Sequence, residues 1–260
     1  MKATNIANAK MLRPNLGRSR LQHLCLIGAL SLLAVGNATA QDKKPDHEIT
    51  ANASLTTDYR YRGISQTRLK PALQGGVDYV NNPTGMYLGA WASTIKWVKD
   101  GGGDSQIEID LYGGKRGELT KDINYDVGAI AYIYPSSALT PNPNTFEVYG
   151  QLSYGPAYIK YSHGVSNLFG FANTKNSGYL DLGANIDAGG GYTINLHLGR
   201  QTVKNLGVAS FTDYKVGVTK DFGICTVALA VIGADTKYYV GPNSKNLGKT
   251  SAVLSVSKTF

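Results

Sequence analysis

The chain has 260 residues, among them 31 glycines and 17 tyrosines but only three methionines and two tryptophans. That length allows one large β domain or two small ones, and the Tyr and Gly content suits strands better than helices. The formal net charge of +8 overstates the basic character. Residues 1–40 hold Lys2, Lys10, Arg13, Arg18 and Arg20 and no acid, so 26 bases less these five leaves 21 against 18 acids. No nucleic-acid partner is expected from so small an excess.

Residues 1–40 read as a leader. Arg18 and Arg20 precede an apolar stretch at 24–35, and Ala38-Thr39-Ala40 follows it. A basic region, a short apolar region and an A-x-A site make a secretory signal peptide. The apolar stretch is too short for a bilayer span, which takes about 20 residues. Cleavage is expected after Ala40, with 41–260 as one domain and Met11 as a second candidate start. Cys25 leaves with the leader, so Cys225 stands alone and neither an intrachain disulfide nor a Cys-rich metal site is expected. His47, His163 and His197 lie far apart in sequence. No metal or cofactor is expected.

The mature chain opens with a strand-like run over 48–60 whose end reads LTTDYRYRGISQT at 55–67. Residues two apart in a strand share a face. Asp58, Arg60 and Arg62 therefore fall on one side, and Tyr59 and Tyr61 on the other. Further strands are expected near 71–80, 86–95, 105–117, 123–134, 145–154, 156–164, 178–188, 191–200, 212–221, 224–235 and 250–260, about twelve in all. Alternation is the evidence. Ile107, Ile109 and Leu111 oppose Glu108 and Asp110. Phe146, Val148 and Leu152 oppose Glu147 and Gln151. Leu180, Leu182 and Ile186 oppose Asp181 and Asp187. Tyr192, Ile194, Leu196 and Leu198 oppose Asn195 and His197. The weakest of these strands are 71–80, with Gly75-Gly76, and 86–95, where Tyr87 and Trp91 sit on the more polar face.

The connections alternate in length. Short turns such as NNPTG at 81–85, GPA at 155–157 and GG near 189–190 come after every second strand. Long loops such as PSSALTPNPNT at 135–145 come after the others. Short turns at one end, long loops at the other, an even strand count and strands of about ten residues describe an all-β transmembrane up-and-down antiparallel barrel. The chain ends SAVLSVSKTF on the aromatic Phe260, as outer-membrane barrels commonly do. Lipid offers no hydrogen-bond partner, so the sheet must close. Apolar faces then meet lipid and polar faces meet water. The expected location is the outer membrane of a Gram-negative bacterium.

With both termini periplasmic, Arg60 and Arg62 fall near the external mouth, and Tyr59 and Tyr61 face lipid in an aromatic girdle. The long loops hold twelve bases against three acids, a local +9 that leaves −6 elsewhere. Two explanations stand side by side: a field that draws anions to the mouth, or a basic rim for lipopolysaccharide phosphates. The candidate anion-handling residues are Arg60, Arg62, Arg68 and Lys70, with a self-paired Asp58–Arg60 rim cluster as the structural alternative. The candidate pore lining is Asp58, Asp78, Glu108, Asp110, Glu147, Lys160, Asp181, Asn195 and His197. Internal ion pairs that brace the wall are the alternative role for these.

The segment LTTDYRYRGISQT followed by KPALQGGVDYV at 70–80 resembles the opening of the TorF family, porin-like bacterial proteins of unknown function. The likeness continues through GAWAS at 89–93, IEIDLYGGKRGE at 107–118, YDVGAIAYIYP at 125–135 and FEVYGQLSYG at 146–155. It covers most of the first half of the mature chain and thins to a generic barrel pattern beyond it. The resemblance implies an outer-membrane barrel and a channel. It carries over no solute and no catalytic residue.

Three functions remain in view. The first is a passive channel for small hydrophilic solutes, with a preference for anions expected. The second is an outer-membrane lipid-modifying enzyme. Ser162-His163 is the nearest nucleophile–base pair in sequence, but adjacent strand residues face opposite ways. The third is a structural or adhesive barrel whose loops, with Phe169, Phe171, Tyr238 and Tyr239, do the work.

Overall fold

The computed structural model describes residues 45–260; the leader and its cleavage site fall outside the described residues. Twelve long strands form one closed antiparallel barrel. They are β1 His47–Thr56, β2 Ala72–Asn81, β3 Met86–Thr94, β4 Ile107–Thr120, β5 Ile123–Ile133 and β6 Thr145–Tyr154. The second half continues with β7 Ala157–Gly164, β8 Gly178–Gly189, β9 Tyr192–Thr202, β10 Phe211–Asp221, β11 Thr226–Ala234 and β12 Ser251–Thr259. Each strand pairs with its neighbours in sequence. β1 closes the ring by pairing with β2 from His47↔Asn81 to Thr56↔Ala72, and with β12 from Asn52↔Thr259 to Thr56↔Ser255. No sheet edge is left open, which is what a barrel in hydrocarbon requires.

Strand parity sets what each face meets. Leu73, Val77, Leu88, Leu111, Leu152, Leu182, Leu198, Val216, Leu229 and Leu254 are exposed on the outside, each more than two-fifths accessible. Gln74, Ser93, Glu108, Asp110, Asp126, Glu147, Gln151, Lys160, Asp213 and Ser255 are buried inside. A water-soluble barrel would do the reverse. The connections at one end span only 82–85, 121–122, 155–156, 190–191 and 222–225. Those at the other end run from eight to sixteen residues.

Strand one differs from its sequence expectation. β1 ends at Thr56 rather than running to residue 60. The chain then turns into the barrel and forms a small hairpin, Arg60–Tyr61 against Ile64–Ser65. Its two-residue turn is Arg62-Gly63, both with positive φ (45° and 77°). Two central residues with positive φ are the geometry that a tight hairpin favours. Tyr59 and Tyr61 consequently do not face lipid. Tyr59 is only 4% exposed and stands edge-on to Trp91 at 5.4 Å, while Tyr61 packs on Tyr132 and Phe169. The cause lies in Asp58, whose carboxylate accepts hydrogen bonds from Ser65 Oγ (2.6 Å) and Thr67 Oγ1 (3.1 Å). A continued strand would separate those groups.

Candidate functional site

The inward hairpin crosses the bore and is anchored on most of the surrounding wall. Arg60 pairs with Asp58 and donates to Ser251 Oγ of β12 at 2.5 Å and to the carbonyls of Leu247 and Lys249. Arg62 donates to both carboxylate oxygens of Glu147 on β6 (3.1 and 2.6 Å) and to Gln201 Oε1 on β9 (2.6 Å). Its guanidinium lies over the Tyr61 and Tyr179 rings at 4.8 and 4.2 Å. Tyr59 donates to Glu108 on β4 at 2.5 Å. At the tip, a Cβ on Gly63 would come within 2.6 Å of Asp213 Cβ on β10 and 2.8 Å of the Gly233 carbonyl on β11. Only glycine permits this approach. The loop containing Asp100 and the segments 134–144 and 165–177 add Ile95, Val98, Tyr134, Leu139 and Phe169 to the same packed cluster.

The four residues expected at the mouth therefore have different fates. Arg60 and Arg62 are inside the bore, their side chains 2% and 7% exposed, and both are ion-paired. Arg68 pairs with Asp100 outside the barrel. The Asp100 hydrogen bond raises its guanidinium further above its ordinary range. Lys70 is exposed. The chain satisfies its innermost arginines with its own carboxylates because a buried unpaired charge is costly.

Beneath the hairpin the lining is built from tyrosine–carboxylate pairs. Tyr134 donates to Glu108 at 2.7 Å, Tyr112 to Asp78 at 2.5 Å and Tyr87 to Asp126 at 2.5 Å. Lys160 lies over the Tyr149 ring at 4.0 Å. His197 sits between two aspartates, Nδ1 at 2.8 Å from Asp181 and Nε2 at 2.7 Å from Asp213, and Tyr179 donates to Asp213 at 2.9 Å. Both imidazole nitrogens meet carboxylate oxygens, the pattern of an imidazolium donor. Asn195 donates to Asn185 at 2.8 Å and accepts from Thr219 at 2.7 Å.

All nine candidate lining residues are inside, but Asp58 belongs to the hairpin rather than the wall. Sequence reasoning passed over Asp213, Lys215, Gln201 and the luminal tyrosines other than Tyr87, which it placed on the more polar face of its strand. Parity held the signal for two of them: Asp213 and Lys215 oppose Tyr214, Val216 and Val218 on β10. Ser162 and His163 do not form a nucleophile–base pair. Ser162 is buried in the bore, whereas the His163 ring bonds to Asn176 at 3.3 Å. Among the described residues no group of three His, Cys, Asp or Glu side chains is arranged to hold a metal ion.

A closed barrel that is apolar outside, charged inside and crossed by its own first loop belongs to the architectural class of membrane β-barrels. The chain itself is a member of the family described as "Bacterial protein of unknown function (Gcw_chp)", whose model matches residues 40–260. The TorF name is not the one this model carries. Solved structures of similar fold include two porins. The KdgM porin in complex with disordered oligogalacturonate has a TM-score of 0.52 at 8% identity, over 82% of this chain and 97% of that one. The NanC porin has 0.53 at 9% identity, over 82% and 98%. No curated protein matches the chain.

Proposed function

We propose that the protein is an outer-membrane channel for small hydrophilic solutes, narrowed by an inward hairpin that acts as a plug. The observation that carries this is the inverted barrel. Its outer surface is a continuous apolar band suited to lipid, and its interior holds carboxyl, basic and phenolic side chains. The two porins of like fold support the same direction. Twelve strands enclose a bore between the filled interior of eight and the wide channel of sixteen, so one short hairpin suffices to obstruct it.

The sign of the preferred solute follows the lining. Inside lie Asp58, Asp78, Glu108, Asp110, Asp126, Glu147, Asp181 and Asp213, against Arg60, Arg62, Arg116, Lys160, Lys215 and His197. Toward the short-turn end, strand parity adds Glu48, Glu118, Asp187 and Asp221. Carboxylates outnumber bases, and a channel lined this way favours cations. The anion preference expected from the sequence rested on the +9 of the long loops, and two of those twelve bases, Arg60 and Arg62, are committed to internal partners. The basic loops remain outside, where they suit the phosphates of lipopolysaccharide.

Liposome swelling tests the proposal. Folded full-length protein should admit small neutral and cationic solutes faster than anionic ones of equal size. Vesicles no leakier than protein-free controls, with the plug seated or released, would favour the second reading. In it the barrel is a rigid stand for its loops, supported by the packed ring cluster of Phe171, Tyr238 and Tyr239.

A further inference from the structure

We propose that Asp110, with the rings of Trp91 and Tyr132 on either side, forms a binding site in the bore for the ammonium head of a small amine. The proposal rests on the channel reading, since the bore would be the route by which an amine arrives.

Asp110 is 7% exposed, and its Oδ1 is buried with no hydrogen-bond partner. The neighbouring deep carboxylates are all engaged. Glu108 takes two phenols, Glu147 takes Arg62, Asp126 takes Tyr87, and Asp181 and Asp213 share His197. A buried carboxylate oxygen without a donor is costly, and a ligand that supplies the donor removes that cost.

The surroundings say which donor. Asp110 is directly opposite Trp91 on β3 and Tyr132 on β5. Both rings point inward and are buried. Elsewhere in the bore the chain lays its own cations on aromatic faces: Arg62 on Tyr61 and Tyr179, Lys160 on Tyr149 and Arg116 on Tyr87. None of the described cation–ring contacts falls on Trp91 or Tyr132. The hydrogen-bonded row through Asp110 continues to Gly76 and Asn52 on one side and to Thr145 on the other, and it contains no base.

One buried carboxylate oxygen without a donor, between two rings, suits a particular class of guest. Divalent ions of the calcium or magnesium type want six to eight oxygens, and aromatic faces offer none. A primary ammonium gives one N–H to Oδ1 and presents its remaining charge to the rings. Cation–π attraction contributes about 0.5–2 kcal/mol, with Trp the best face.

The protein carries its own reporter. Its two tryptophans, Trp91 and Trp97, both lie in this cluster, the second edge-on to Tyr134. Folded full-length protein in detergent is titrated with methylammonium chloride, and with sodium chloride at matched ionic strength, while tryptophan emission is followed. The expected result is a saturable change with methylammonium and none with sodium. Asp110→Asn should weaken the apparent affinity at least about tenfold, and Asp187→Asn at the rim should leave it unchanged. A flat or non-saturating response, or the same response to both salts, overturns the proposal in the wild type alone, whatever the fate of the variants. Equal affinity in folded Asp110→Asn does so too. The readout does not depend on transport. Saturable binding in protein that admits no solute into vesicles would remove the channel reading and keep the site. Solute entry with a flat titration would do the opposite.

Discussion

Replacing Arg62 with methionine should unseat the plug. The substitution keeps most of the stem that packs between Tyr61 and Tyr179 and removes the guanidinium. In the seated hairpin that group makes three hydrogen bonds, two to Glu147 and one to Gln201. Glu147 and Gln201 are each 2% exposed, so neither can turn to water for a substitute. Removing one partner of a buried ion pair costs about 3–5 kcal/mol, largely the penalty of the charge left behind. With the hairpin withdrawn, Glu147 faces a wet bore and is solvated, so nearly the whole cost falls on the seated state. At about 1.4 kcal/mol per tenfold, the ratio of seated to released plug should fall by roughly 10²-fold to several thousandfold. Single-channel recording in planar bilayers reads this as open fraction. Wild-type protein should be mostly closed, and Arg62→Met should be open for long periods at unchanged unitary conductance. Glu147→Gln should act in the same direction, because it leaves the buried Arg62 guanidinium without its counter-charge, and more weakly, because the glutamine Oε1 still accepts one of its hydrogen bonds. If Arg62→Met folds and shows the wild-type open fraction, the hairpin is not the barrier.

Other consequences follow from the same geometry. Gly63→Val places a Cβ against Asp213 and the Gly233 carbonyl at a positive φ. The barrel should still form, judged by heat-modifiable gel mobility, while protease cleavage within 57–71 becomes faster. Arg60→Ala with Arg62→Ala uncovers Asp58 and Glu147, so cation selectivity should rise together with conductance; an unchanged selectivity would make both arginines purely structural. Leu196→Arg puts a charge on the lipid face of mid-β9 and should cost about 2–4 kcal/mol in unfolding from lipid vesicles, whereas Asn195→Arg, one residue away but facing the bore, should cost far less. Equal costs would contradict the assignment of faces.

Much of the fold was legible because one constraint acts on every strand alike. Lipid demands an apolar residue at each second position, so period-two alternation recurs from β1 to β12, and the expected strands match closely. The turn ends were legible from Gly, Asn and Pro at the short connections. Strand β2 was faint because Gly75-Gly76 interrupts it, and the structure supplies a reason: a Cβ on Gly76 would lie 2.9 Å from the Ala90 carbonyl and 3.2 Å from Trp91 Cδ1. The plug was not legible. DYRYR alternates as well as any strand, and nothing in its pattern says that it bends inward. The one local cue was the Arg62-Gly63 dipeptide, which becomes a hairpin turn only once both residues take positive φ. Tyrosine misled for a related reason. It serves equally in a lipid girdle and as a phenol donor, and here Tyr59, Tyr87, Tyr112 and Tyr134 all found carboxylates inside. Charge was legible in amount but not in place. The long loops gave +9 and the rest −6, and that negative remainder lies largely in the bore.

The most direct test is the reversal potential across a planar bilayer held under a potassium chloride gradient. A bore lined by Asp78, Asp110, Asp126, Asp181 and their neighbours should pass potassium in preference to chloride, most strongly at low salt and less as screening sets in. A reversal potential of the opposite sign would mean that the basic loops, not the acidic interior, govern permeation, and the assignment of the lining as the selective surface would fail.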